Sequence, residues 1–189
     1  MMCSGSASHA SWAMVLLLIV CASIFGSLIF SYLFLWTTNP QAWPAAGALP
    51  SPGWPMLSAA MLVVGAALAA IAGRLMSRDR QSALRWCVAG AALLLAAAPA
   101  LDLAAHWQVG LRPQATAYTA ATYAVAGLQA LFGGISVVMG VFTVARSMAG
   151  RLRPTRRAAF DTTRTMLLYT VAQGLIALAL LHGFPRLTG

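Results

Sequence analysis

The chain has 189 residues, 60% of them apolar and 8% charged, and twelve Arg against three acids give it a net charge of +9. Soluble domains run at roughly 45–50% apolar and about 25% charged, so a soluble fold is excluded. The basic excess would suit nucleic acid in a soluble protein, but here the arginines sit in two short loops between apolar runs, where they act as topology determinants at a membrane surface.

Residues 1–73 carry no Asp, Glu, Lys or Arg. Backbone groups in lipid must be satisfied internally, which selects helices, and the alternating segments of about ten residues that a β-barrel needs are absent. Residues 1–11 are small and polar and predict a short tail. A cleaved signal is disfavoured: no cation precedes the apolar run, which continues well past Cys21, and Val20 is large for a cleavage site.

The first span, 12–36, is the run around which the rest reads as organised. At about 1.5 Å per residue it exceeds the roughly 30 Å hydrocarbon core. Its second half sets Phe25, Phe30, Tyr32, Phe34 and Trp36 where aromatics favour the headgroup region. Ser23 and Ser27, four residues apart, predict a face that another helix can approach closely. Five prolines between 37 and 55 interrupt helix, and Trp43 and Trp54 suggest a loop along the interface.

The second span, 56–76, places Gly65, Ala69 and Gly73 at four-residue spacing, a pattern for close helix contact. Arg74, Arg78, Arg80 and Arg85 crowd the next loop, which the positive-inside rule assigns to the cytoplasm. The third span, 84–104, has Ala92, Ala96 and Ala100 on one stripe and Pro99 to bend it. Asp102 and His106 follow on one helical face. A carboxylate and an imidazole inside a membrane could relay protons; the ordinary alternative puts Asp102 at the wetted outer interface, paired with His106 or Arg112.

The fourth span, 119–145, carries a stripe of Ala126, Ala130 and Gly134, and Gln129 predicts an interhelical hydrogen bond. Arg146, Arg151, Arg153, Arg156, Arg157 and Arg164 then form a second cytoplasmic loop suited to anionic lipid headgroups. The fifth span, 165–181, ends at His182 before a tail in which Pro185 stops the helix. Only Arg112 and Arg186 fall on the opposite side, which predicts the N-terminus in and the C-terminus out.

There is no Ser/His/Asp set, no paired carboxylates, no glycine-rich phosphate loop and no His-rich cluster, so no catalytic residues and no metal or haem centre are expected. Cys3, Cys21 and Cys87 lack ligand spacing and read as free thiols. No inverted repeat with paired broken helices supports a transporter.

Residues 25–36, followed by Pro40 and Trp43-Pro44, resemble the first shared helix of bacterial subunit III of haem-copper cytochrome c oxidases. Residues 117–124, Gln129 and residues 169–174 resemble the same family, and five helices match its shorter form. The family's embedded Glu falls at Cys21 and its two His at Phe132 and Leu168, so those roles have no side chain here. The resemblance implies a subunit that binds no metal, flanks subunit I, and supports lipid and oxygen access. A partner of a nitric oxide reductase fits the same pattern, and a free-standing carrier or assembly protein is the rival from another class.

The expectation is an all-α polytopic membrane bundle, one domain over 1–189, in a bacterial inner membrane. Its partners are lipid and oxidase subunits I and II, which hold haem and copper, with no nucleic acid. The chain is expected to act by packing: Gly65, Ala69, Gly73, Ala126, Ala130 and Gly134 close the helices, and Ser23, Ser27, Phe30, Tyr32 and Trp36 meet a partner or lipid. Asp102, His106 and Gln129 are the candidates for a polar or proton site.

Overall fold

A computed structural model describes residues 4–43 and 49–188, with the side chains of 4–11, 42 and 188 outside that description. Cys3, Pro44 and the His9 side chain therefore lie outside the described residues. The described residues form helices only: α1 (Ser4–Thr38), a 3₁₀ turn (Pro40–Ala42), α2 (Gly53–Ser77), α3 (Gln81–Gln108), α4 (Ala117–Met148) and α5 (Ala158–Leu178). A π turn (Ala179–Gly183) and a last helical turn, α6 (Phe184–Thr188), continue α5. Five helices are long and apolar enough to cross a membrane, as in a multi-pass membrane protein.

Each helix extends past its expected span. The polar start is absorbed into α1 from Ser4 instead of forming a tail. Pro55 sits inside the first turn of α2, where a missing N–H leaves no helical bond unmade. Trp54 thereby belongs to α2 and not to a loop. Thr116 caps α4 reciprocally with Thr119: each hydroxyl accepts from the other's backbone N–H, at 3.2 and 3.0 Å.

Helices α2, α3, α4 and α5 neighbour one another in a ring, α2 on α3, α3 on α4, α4 on α5 and α5 on α2. Successive helices run antiparallel, which is an up-down-up-down bundle. Its seams repeat every seven residues. On α2 the buried positions are Pro55, Ser58, Leu62, Gly65, Ala69, Ala72 and Met76; on α4 they include Thr119, Thr122, Ala126, Gln129, Gly133, Ser136, Gly140, Thr143 and Ser147. Alternating steps of three and four residues make the left-handed seam of membrane bundles.

The stripes drawn at strict four-residue steps drift off these seams. Four residues turn a helix by about 400°, so each step rotates about 40° away from the contact. Ala92 is buried, Ala96 half-buried and Ala100 exposed; Ala126, Ala130 and Gly134 follow the same order; Gly65 and Ala69 are buried and Gly73 is half-buried. Gly134 is thus not a contact residue, and a Cβ there meets nothing within 4 Å. The close approach belongs to Gly133, where a Cβ would lie 2.9 Å from the Leu95 carbonyl oxygen, and to Gly140, where it would lie 2.9 Å from the Ala92 Cβ. Leu95 is four residues before Pro99, so its carbonyl has lost its helical donor, and the bare Gly133 backbone sits against it. Gly73 instead faces the Arg164 guanidinium, 3.1 Å from a Cβ at that position.

The first helix is not the organising element. It lies against α4 and α5, burying Met14 and Cys21 with Phe132 and Met166, and Phe25 and Tyr32 with Val125, Ala177 and Leu181. Most of its remaining surface is exposed, including Leu16, Ile19, Ile24 and Phe30.

Candidate functional site

The polar interior lies along the α4 and α5 seam and ends in a cluster between α3 and the π turn. Gln129 Nε2 donates to the Thr170 carbonyl at 3.1 Å. Gly174 leaves room for that amide, since a Cβ there would come within 2.6 Å of Nε2. Seven residues on, Ser136 meets the Thr170 hydroxyl at 3.1 Å, and after another seven Thr143 meets Thr163 at 2.7 Å. At the arginine-rich end Ser147 Oγ donates to Gln81 Oε1 and accepts from Arg85 Nε, at 2.9 and 3.0 Å. Each such pair removes a polar group from lipid by bonding it across helices.

Asp102 occupies a seam position of α3 and is 3% exposed. The wetted interface position is therefore corrected: the carboxylate is inside the bundle, and Arg112 stacks over the Trp107 ring at 3.5 Å. Its partner is His182, eighty residues away, whose Nε2 lies 2.6 Å from Asp102 Oδ1. Helix geometry brings in His106, whose Nδ1 lies 2.8 Å from the Asp102 backbone oxygen and 3.8 Å from Oδ2. The two imidazole centroids are 4.9 Å apart, and both rings are buried.

Local sequence explains how His182 turns inward. Pro185 has no N–H to continue the α-helical ladder, and the preceding segment widens to a π turn in which the Phe184 N–H reaches back to the Ala179 oxygen. The extra residue in that turn brings Leu181 and His182 inward together, both buried. Arg186 then ties the end down, donating to the His182 oxygen at 3.0 Å and to the Pro50 oxygen at 2.7 Å. Pro185 does not stop the helix at 182.

The donors and acceptors set the ring states. A backbone carbonyl only accepts, so His106 Nδ1 carries the proton and Nε2 is left with a lone pair. His182 Nε2 and Asp102 Oδ1 share a proton between them. The other nitrogens, His106 Nε2 and His182 Nδ1, are buried with no hydrogen-bond partner. One ligand atom from each of Asp102, His106 and His182 can be chosen so that all three lie within 4.8 Å of one another. The arrangement can hold a proton, or a cation in its place. Beside it is a cavity of about 20 Å³ bordered mainly by apolar side chains, among them Leu62, Ala126 and Leu181, with Ser58, Asp102 and Gln129 also in its lining.

The proposed contact residues of α1 divide. Ser23, Ser27 and Phe30 are exposed, and both serine hydroxyls bond back to their own helix, to the Ile19 and Ser23 carbonyls. Tyr32 is fully buried in the chain's own aromatic cluster, edge-on to Trp43, Tyr118 and Phe184, and its hydroxyl accepts from Trp43 Nε1 at 3.3 Å. Trp36 is half-buried against Phe184. Tyr32 is thus unavailable to a partner.

Cys21 and Phe132, where the resemblance places an acid and an imidazole, share one apolar cluster, and Leu168 faces outward. Among the described residues the interior nonetheless contains one acid and two imidazoles, drawn from other positions. Helical spacing pairs Asp102 with His106 but carries no sign of His182 beyond an imidazole three residues before a proline. Compared with known proteins, the chain matches no family model and no curated protein.

Proposed function

We propose that this chain is a non-catalytic, subunit III-like component of a respiratory haem-copper oxidase in a bacterial inner membrane. The observation that carries the reading is the division of labour in α1. One face closes onto α4 and α5, while Ser23, Ser27, Phe30 and Phe34 remain exposed along the other. Small residues and stacked rings on a membrane helix suit a second helical protein or ordered lipid, and these residues fall within or just before the stretch that resembles subunit III. Subunits I and II supply the haem and copper, and the chain contributes packing and lipid or oxygen access to subunit I.

In this reading the ten arginines near the α2–α3 and α4–α5 connections face the cytoplasm, with the N-terminus in and the C-terminus out. In a cysteine-free background, a cysteine at the exposed Gln114 should react with an impermeant thiol reagent added from outside, and one at the exposed Thr155 should not. The reverse pattern overturns the orientation. The assembly is tested by solubilising a tagged chain in mild detergent and recording the absorption spectrum of what co-purifies. Haem signals with a larger partner support the oxidase reading; recovery of the chain free of any haem protein favours a free-standing carrier or assembly protein.

A further inference from the structure

We infer that Asp102, His106 and His182 form a buried binding site for a borderline transition-metal cation of the Zn²⁺ class. The inference does not depend on the oxidase reading and departs from the metal-free subunit that the resemblance implies.

Three observations converge. One ligand atom from each residue can be chosen within a 4.8 Å set. Bonds of about 2.0–2.2 Å to a tetrahedral cation place ligand atoms roughly 3.4 Å apart, so the atoms must shift by the order of 1 Å on loading. Second, a cation held by His182 Nε2 and Asp102 Oδ1 displaces the proton that these atoms share, and His106 Nδ1 is held by the Asp102 backbone carbonyl. Metal-bound imidazoles are oriented in this way, by a carbonyl or carboxylate on the nitrogen opposite the metal. Third, the opposite nitrogen of His106, Nε2, is buried with no hydrogen-bond partner. A buried lone pair without a donor is unfavourable, and a cation satisfies it directly.

The surroundings favour this class. Imidazole and carboxylate suit Zn²⁺ and its neighbours better than Mg²⁺ or Ca²⁺, which take more oxygen ligands than the site offers. Asp102 also supplies the only acidic charge among the described residues of the bundle interior, offsetting part of the cation's charge where lipid cannot.

The test uses the full chain with a non-histidine affinity tag, purified in detergent and stripped with chelator, and Co²⁺ as the probe. One Co²⁺ per chain with the visible absorption of a tetrahedral nitrogen and oxygen site, displaced by Zn²⁺, is the expected result. Asp102→Asn should weaken Co²⁺ binding about 10–100-fold, His182→Gln should abolish the visible band, and His9→Ala should retain it. Circular dichroism establishes that each variant keeps its helix content. Absence of stoichiometric Co²⁺ binding by the folded natural chain overturns the inference without reference to any variant, as does an unchanged band in folded His182→Gln.

Discussion

The two longest helices, α1 with 35 residues and α4 with 32, use apolar sequence in opposite ways. In α1 the most apolar window is 17% buried, in α4 39%. The greasier helix is the more exposed one. Lipid is as apolar as leucine, so nothing drives Leu16, Ile19 or Phe30 inward, whereas glycine, serine, threonine and glutamine gain by close approach and by hydrogen bonding across helices. The seam of α4 is made almost entirely of such residues. Between these two helices, the less apolar span is the more buried one.

The sharpest way to break the comparison is a pair of adjacent glycines on α4. Gly133→Leu drives a side chain into the Leu95 carbonyl and the Ala96 backbone, and should destabilise the chain by about 3 kcal/mol or prevent folding. Gly134→Leu should change stability by less than about 0.5 kcal/mol. Denaturant unfolding in mixed micelles, followed by circular dichroism, separates the two. Equal effects would mean that the seam is drawn in the wrong register.

A smaller effect comes from the buried cluster. Asp102→Leu strands the His182 Nε2–H, and His182→Leu strands the Asp102 carboxyl, so each should cost about 1–3 kcal/mol. The double variant, with both polar partners gone, should recover part of the loss. Strictly additive losses in the same unfolding assay would show that the 2.6 Å contact carries no coupling.

Weaker still are the cross-helix pairs. Gln129→Ala and Thr143→Ala should each destabilise by about 0.6 kcal/mol, with about 1.7 as the upper range for such bonds. At the foot of the scale, Ser27→Ala on the outer face of α1 should leave the isolated chain's unfolding midpoint unmoved, since that hydroxyl bonds only to its own helix. If Ser27→Ala lowers the midpoint of the isolated chain, α1 is more deeply embedded than its exposure indicates.

The five spans were legible because each must present enough consecutive apolar residues to cross the hydrocarbon, a one-dimensional requirement that any window along the chain detects. The seams were harder to see. Alanine, glycine and serine are spread around every helix here, so stripes at four-residue steps and at alternating three- and four-residue steps look equally good on paper; Gly134 and Gly133 differ by a rotation of about 100°. Tyr32 stands near the end of an apolar run, where an interfacial ring is expected, yet Trp43, Tyr118 and Phe184 close over it.

What the sequence determined by itself was the solvent and the class: an uncharged first third, five long apolar runs and arginines gathered between them leave a polytopic helical membrane protein as the consistent outcome. Which faces meet, and that Asp102 is buried with His106 and His182, only the tertiary structure decided. The turn of one helix relative to another depends on backbone approach at Gly133, Gly140 and Gly174. The meeting of α3 with the π turn closes a chain separation of eighty residues, which no local pattern encodes.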